Sequence, residues 1–200
     1  MTRDDVDILE SETVWQGLFR IDRLRLRHRL FAGGWGRPVV REVFERGHAA
    51  AILPYDPVRD EVVLIEQFRI GALAAGDEPW LTEIVAGIIE EGESAEEVVR
   101  REIREEAGCE VTDIIPVMDV FTTPGGSSER IAIFCGRVDA AGVGGIHGVR
   151  DEGEDIRVFT DKLDAALKRI ASGTITNVIA VAALQWLALN RHTVAAKWVD

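Results

Sequence analysis

In the stretch VVRREIREEAG, residues 98–108, Glu102, Glu105 and Glu106 stand at positions i, i+3 and i+4, the spacing that puts three side chains on one face of a helix. Like charges so placed oppose the helix by about 0.2–0.5 kcal/mol per pair. Either water screens them or something positive is held there. One reading is a solvated acidic face steadied by Arg100, Arg101 and Arg104; the other is a cation site. The loop just ahead adds Glu90, Glu91 and Glu93, and a later loop, VRDEGEDIRV, adds Asp151, Glu152, Glu154 and Asp155. Oxygen ligands of this kind suit Mg²⁺, which keeps several waters and commonly bridges a few carboxylates to substrate phosphates. No nucleophilic triad competes with that chemistry. Ser127 and Ser128 have no histidine in a convincing partner position, and TPGGSSER lacks the Gly-Lys-Ser/Thr ending of a P-loop.

The elements that must position these carboxylates can be read from pattern. Ser94 with Glu97 three residues on forms a capping box, Gly108 is a terminator, and Val98, Ile103 and Ala107 supply an inner face, which together predict a helix over 95–107. Upstream, FRIDRLRLRHRL at 19–30 alternates from Arg23 onward and predicts a half-buried strand whose arginine face is solvated or faces a second chain, with contact to an anion as the alternative. HAAAILPY and EVVLIEQFRI, joined by the turn DPVRD, predict a hairpin. After a loop at 71–80 come a short strand leading into the helix, strands near 115–121 and 129–137, a Gly-rich loop at 138–153, the strand DIRVFT, and helices near 161–171 and 176–190. This is an α+β, or mixed α/β, pattern without the βαβαβ run of a Rossmann sheet.

Composition narrows the partners. A net charge of −12 leaves no basic excess to replace counterions, which argues against nucleic acid and anionic membranes. The amino terminus MTRDDVDILESE has no apolar leader segment, and VIAVAALQWLAL at 178–189 is shorter than a membrane span and contains Gln185. Cys109 and Cys135, without metal-binding spacing, predict buried thiols in a reducing cytoplasm. His48 reads as a satisfied core or turn histidine, and Trp80 and Trp186 as core or dimer contacts.

Residues 87–109, GIIEEGESAEEVVRREIREEAGC, also carry a longer pattern. Gly87, Glu93, Arg101, Glu102, Ile103, Glu105, Glu106, Gly108 and Cys109 occupy the nine defined positions of the Nudix box, an agreement expected by chance on the order of 10⁻⁸ per start point. The chain thus resembles the Nudix hydrolase superfamily. Pro124, about fifteen residues past the box, together with ERGHAA, DPVRDEVVLIEQFRI, PWLTEIVAG, GIHG, DEGEDIRV and VIAVAALQWL, is similar to the bacterial ADP-ribose pyrophosphatase branch over about residues 12–190.

That resemblance implies a Nudix fold, a mixed β-sheet core sandwiched between helices. It also implies an N-terminal antiparallel β subdomain at 1–46 and a hydrolase domain at 47–200. The subdomain would pair two chains as a domain-swapped homodimer, with its arginines reaching the partner's site. The implied activity is Mg²⁺-dependent hydrolysis of ADP-ribose to AMP and ribose 5-phosphate, with two or three ions per site and Mn²⁺ as a substitute. The implied metal ligands are the Ala86 carbonyl, Glu102, Glu105, Glu106 and Glu154, and the implied general base is Glu152. Arg41, Arg69, Leu18, Phe19 and Pro124 fall at substrate-contacting positions, and Glu93 and Arg101 form an internal ion pair. Leu18 stands where the branch has an aromatic against adenine. Another nucleoside diphosphate sugar or NADH is therefore the alternative substrate, and a non-catalytic ADP-ribose-binding module is the alternative of another class.

Overall fold

A computed structural model of the chain describes residues 1–198 and leaves the Glu152 side chain outside the described set. Two compact units are present, residues 1–48 with 121–130, and residue 49 onward without that segment.

The first unit is an antiparallel sheet of β1 (Val6–Gln16), β2 (Arg20–His28) and β3 (Val39–Glu45). Nothing in the composition of MTRDDVDILESE announces a strand, yet it forms β1 against β2. The reason lies in the arginine face of β2. Arg25 meets Glu10 at 2.7 Å, Arg27 meets Asp7 at 2.8 Å, and Arg23 meets Glu42 of β3 at 2.9 Å. That face is solvated as expected, its arginines each matched by a carboxylate. Such exposed pairs add little stability each but disfavour other registers. Residues 121–130 join this unit: Gly126 O accepts from Phe44 N at 2.8 Å and Ser127 Oγ donates to Phe44 O at 2.9 Å. His48 is satisfied in a turn rather than in the core, with Nδ1 accepting from Arg130 N at 3.2 Å.

In the second unit every residue of β4 (Ala49–Asp56) is buried, and β5 (Glu61–Phe68) is buried over Val62–Ile65. Apolar runs without alternation are what a strand covered on both faces requires. The two faces pack separately. Ala51, Leu53 and Tyr55 meet the side carrying α3 (Leu163–Ala171) and α4 (Val178–Trp198), while Ala50 and Ile52 meet the side carrying α2 (Ala95–Ala107). A short helix, α1 (Ile70–Ala75), ended by Gly76 at a φ of 80°, overlaps the loop expected at 71–80 and takes its first residue from the strand segment before it. The remaining strands are β6 (Trp80–Glu83), β7 (Val85–Ile88), β8 (Ile114–Phe121), β9 (Arg130–Arg137), β10 (Gly145–His147) and β11 (Ile156–Lys162).

The sheet runs β10-β11-β5-β4-β9-β8, with β4 and β9 parallel, a pairing between distant segments that local pattern does not reveal. β4 and β5 are paired only near their hairpin, at Tyr55–Val62 and Asp56–Glu61, and then part. The segment 80–88 fills the fork, β6 bonding to β5 and β7 to β4. It carries Glu83, Ala86 and Gly87 into the middle of the sheet.

α2 has the predicted ends. Ser94 and Glu97 exchange both capping bonds and Gly108 takes a left-handed φ of 60°, a conformation open to glycine at little cost. Val98, Val99 and Ile103 are fully buried, each worth about 1.5–3 kcal/mol of burial, so packing outweighs the repulsion among the helix carboxylates. α4 extends two turns past the expected end because Val194 and Trp198 continue its buried stripe. Among the described residues no helix is long and apolar enough to cross a membrane.

Candidate active site

Packed into the fork, α2 lays its carboxylates against β7. Glu106 is 3 % exposed, and its Oε2 accepts from Ala86 N at 3.1 Å. Glu102 lies over Gly87, so closely that a Cβ there would stand 1.9 Å from Glu102 Oε1. The glycine is the space that this carboxylate occupies.

Burial, reinforced by the charges of Glu102 and Glu154, pushes Glu106 up to about 8, against the Ala86 N–H and Arg69, which favour its ionised form. Glu102 is also raised, first by burial and then by Glu105 and Glu154, despite the opposing pull of Arg101. Glu154 is thus drawn into the field of both helix carboxylates although it lies some fifty residues downstream. Its Oε2 accepts from Val149 N at 2.8 Å, and a Cβ on Gly148, at a φ of 100°, would strike its side chain. The loop is held to the helix by Gly148 N donating to Glu105 O at 3.2 Å.

Arg101 contacts Glu93 at 3.4 Å, as the expected internal pair, and it also grips two carboxylates of the helix. Its Nη1 donates to Glu102 Oε1 at 2.7 Å and to Glu105 Oε2 at 3.2 Å. Burial opposes its charge, but the surrounding glutamates, Glu102 foremost, raise its pKa overall. The Glu105 side chain is 40 % exposed and turned to Arg101.

A divalent cation suits this donor set by its chemistry. All the donors are oxygens, and burial first, then neighbouring carboxylates, disfavours the charge of Glu102 and Glu106, a cost that a bound cation would relieve. Among the described residues, however, no three carboxylate, histidine or cysteine side chains already converge as a formed cage. Arg101 holds two of the carboxylates to itself.

Arg69, at the end of β5, completes the group. Burial disfavours its charge, yet Glu83, Glu106 and Glu154 raise its pKa overall. Its Nε and Nη2 both donate to Glu83 Oε2, at 3.0 and 2.7 Å. Glu83, 3 % exposed, was missed by sequence reasoning. The signal was a lone glutamate inside the apolar run WLTEIVAG, since a charge is almost never fully buried unpaired.

The second unit therefore brings together Glu102, Glu106, Glu154 and Arg69, with the Ala86 backbone beside them. The side chain of Glu152 lies outside the described residues; its backbone belongs to a single helical turn, Arg150–Glu152, closed by Gly153. Leu18, Phe19, Arg41 and Pro124 belong to the first unit. There Leu18, 90 % exposed, and Phe19 line a hollow of about 350 Å³ with Arg20, Glu45 and Arg46, and the Arg46 guanidinium stands 5.6 Å from the Phe19 ring centroid. Arg41 is exposed on β3, its Nη1 donating to Val40 O at 2.8 Å, and Pro124 sits in the exposed turn 123–126. A larger hollow of the second unit, about 450 Å³ beside Asp56 and Arg137, has its Arg59 held by Asp56 and Asp139 and carries none of these residues. Trp80 is 61 % exposed instead of core, edge-on to Phe68, whereas Trp186 packs against the core.

A helix ended by a capping box and a left-handed glycine, pressing paired glutamates into a forked mixed sheet, is the arrangement of a Nudix domain. The NUDIX domain profile matches residues 45–176, and the chain belongs to that family. It is 52 % identical over 196 residues to the ADP-ribose pyrophosphatase of Escherichia coli strain K12, covering 98 % of this chain and 94 % of that one. It is 42 % identical over 200 residues to the ADP-ribose pyrophosphatase of Haemophilus influenzae, covering 98 % and 92 %. Among solved structures it resembles one described as an ADP compounds hydrolase, with a TM-score of 0.73, 22 % identity and coverage of 98 % and 97 %, a likeness of fold.

Proposed function

We infer that this protein hydrolyses the pyrophosphate linkage of ADP-ribose, giving AMP and ribose 5-phosphate, with Mg²⁺ as its cation and Mn²⁺ as a substitute. The observation that carries this reading is the buried Glu106 set against Glu102, Glu154 and Arg69, in a chain that aligns almost end to end with ADP-ribose pyrophosphatases.

The cation would be held by Glu102, Glu106, Glu154 and the Ala86 carbonyl, with Glu105 as a further ligand once released by Arg101. When bound, it supplies positive charge against the phosphate oxygens and Lewis acidity. Glu152 takes the proton from the attacking water as the new P–O bond forms and the bridging P–O bond breaks. Arg69 offers paired N–H donors to the phosphates, a geometry a lysine does not reproduce. Arg41, Leu18, Phe19 and Pro124 serve substrate recognition. With an aliphatic Leu18 in place of an aromatic, stacking on the base is weaker and discrimination among bases is looser. The enzyme works as a domain-swapped homodimer in the cytoplasm, where burial pushes the Cys109 thiol up to about 11 and the Cys135 thiol up to about 12 and so keeps both unreactive.

The test is product analysis for ADP-ribose, GDP-mannose, NADH and diadenosine polyphosphates with Mg²⁺ and with EDTA. ADP-ribose should be the best substrate and EDTA should abolish turnover. A preference for GDP-mannose would overturn the substrate, and no turnover of any of them would favour a binding module. In the same assay Glu152→Gln should lower kcat by about 10²- to 10⁴-fold with little change in KM; near-normal turnover would remove Glu152 from its role.

A further inference from the structure

Glu83 is buried in the fork of the sheet and accepts four hydrogen bonds. Oε1 takes Asn177 Nδ2 at 2.8 Å, and Oε2 takes Gln67 Nε2 at 3.3 Å with Arg69 Nε and Nη2 at 3.0 and 2.7 Å. Asn177 is itself fixed. Its Oδ1 caps the first turn of α4 by accepting from Ile179 N at 2.9 Å and Ala180 N at 3.1 Å. Arg69 is fixed from the main chain as well, its N–H donating to Pro79 O at 2.7 Å. The guanidinium is thereby clamped along the edge formed by Nε and Nη2, and Nη1 has no hydrogen bond among the described residues. Glu106 and Glu154 are close enough for their charges to act on it as well.

Stability alone does not call for such an arrangement. Burying the Glu83 carboxylate costs desolvation that its attraction to Arg69, whose side chain is 43 % exposed, often only balances, and apolar replacements of buried charged groups are commonly neutral or stabilising. What the clamp achieves is a single orientation for a planar donor that otherwise has many rotamers, at the edge of a carboxylate cluster. Asn177 extends the anchor to α4, so the guanidinium is referenced to a 21-residue helix packed on the sheet rather than to the exposed segment that follows β5.

We propose that Glu83 is a positioning residue: anchored by Asn177 and Gln67, it aims the free edge of the Arg69 guanidinium at the substrate's phosphates. This rests on the reading of Arg69 as a substrate contact, and the experiment separates the two.

Steady-state kinetics with ADP-ribose and Mg²⁺ would be measured for Glu83→Gln, Arg69→Ala and the double variant, each also melted thermally. Glu83→Gln should raise KM by about tenfold, the scale of one charge-assisted hydrogen bond, with kcat within about threefold of wild type. In the Arg69→Ala background the same substitution should add almost nothing to KM, because the residue it acts through is gone. Glu83→Asp keeps the charge and retracts the anchor by one methylene, so it should raise KM less than Glu83→Gln. If Glu83→Gln does not fold, the same cycle run with Glu83→Asp decides. A loss of melting temperature with unchanged KM, or an equal rise in KM with and without Arg69, would overturn the positioning role while leaving Arg69 in place. An unchanged KM in Arg69→Ala would instead sink the substrate-contact reading itself.

Discussion

The chemistry of individual residues turns on Glu106. Its i, i+4 relation to Glu102 is legible in the sequence; its burial is not, because a helix of 3.6 residues per turn says which side chains are neighbours and not which of them the sheet covers. With its pKa raised from an ordinary value of 4.5 to about 8, the folded, metal-free protein keeps a proton on Glu106 between those values while the unfolded chain has lost it. The contribution of this group to stability is therefore fully present below about pH 4.5 and fades as pH rises towards 8. In EDTA, melting curves of wild type and Glu106→Gln should diverge over that window. The variant should gain melting temperature relative to wild type as pH approaches 8, and Mg²⁺ should stabilise wild type but not the variant. Parallel curves from pH 5 to 8 would contradict the assignment. The variant should also be nearly inactive.

Between elements, the decisive contact is α2 on β7. The capping box, the closing glycine and the apolar stripe suffice to define the helix, and all three are local signals. The fork is hidden from such signals, since pairings such as Ala51 with Ala86 and Ala51 with Ile133 join residues far apart in sequence. Gly87 shows how the two levels meet: it is a fixed position of the sequence pattern, and the reason is the Glu102 carboxylate lying where a methyl would be. Gly87→Ala has no positive φ to strain, so it should fold with a melting temperature near that of wild type. It should nevertheless lose about tenfold or more in kcat/KM and need more Mg²⁺ for half-maximal rate, because misplacing a group at the reacting centre is costly in rate. Wild-type activity in this variant would show that Glu102 does its work from another position.

Across the whole molecule, the expectation of a homodimer can be tested apart from catalysis. Sedimentation or light scattering should give about twice the 22.1 kDa chain mass at micromolar concentration, and removing residues 1–46 should abolish pairing; a monomer across the accessible range would refute it. The first unit is where the sequence says least. Its acidic strand β1 reads as a mere charged terminus, and the return of residues 121–130 to that unit leaves no local trace. What the sequence determined by itself was everything carried by short-range spacing: the capped helix, the carboxylate triplet, the buried hairpin and the family pattern, because rise, turn and cap geometry act within a few residues. What the tertiary structure decided was the order of strands, the burial of Glu106, the grip of Arg101 on Glu102 and Glu105, and the anchoring of Arg69 by Glu83 and Asn177. Those depend on which distant segments share a sheet, and on how far burial between them can shift a charge that water would have left alone.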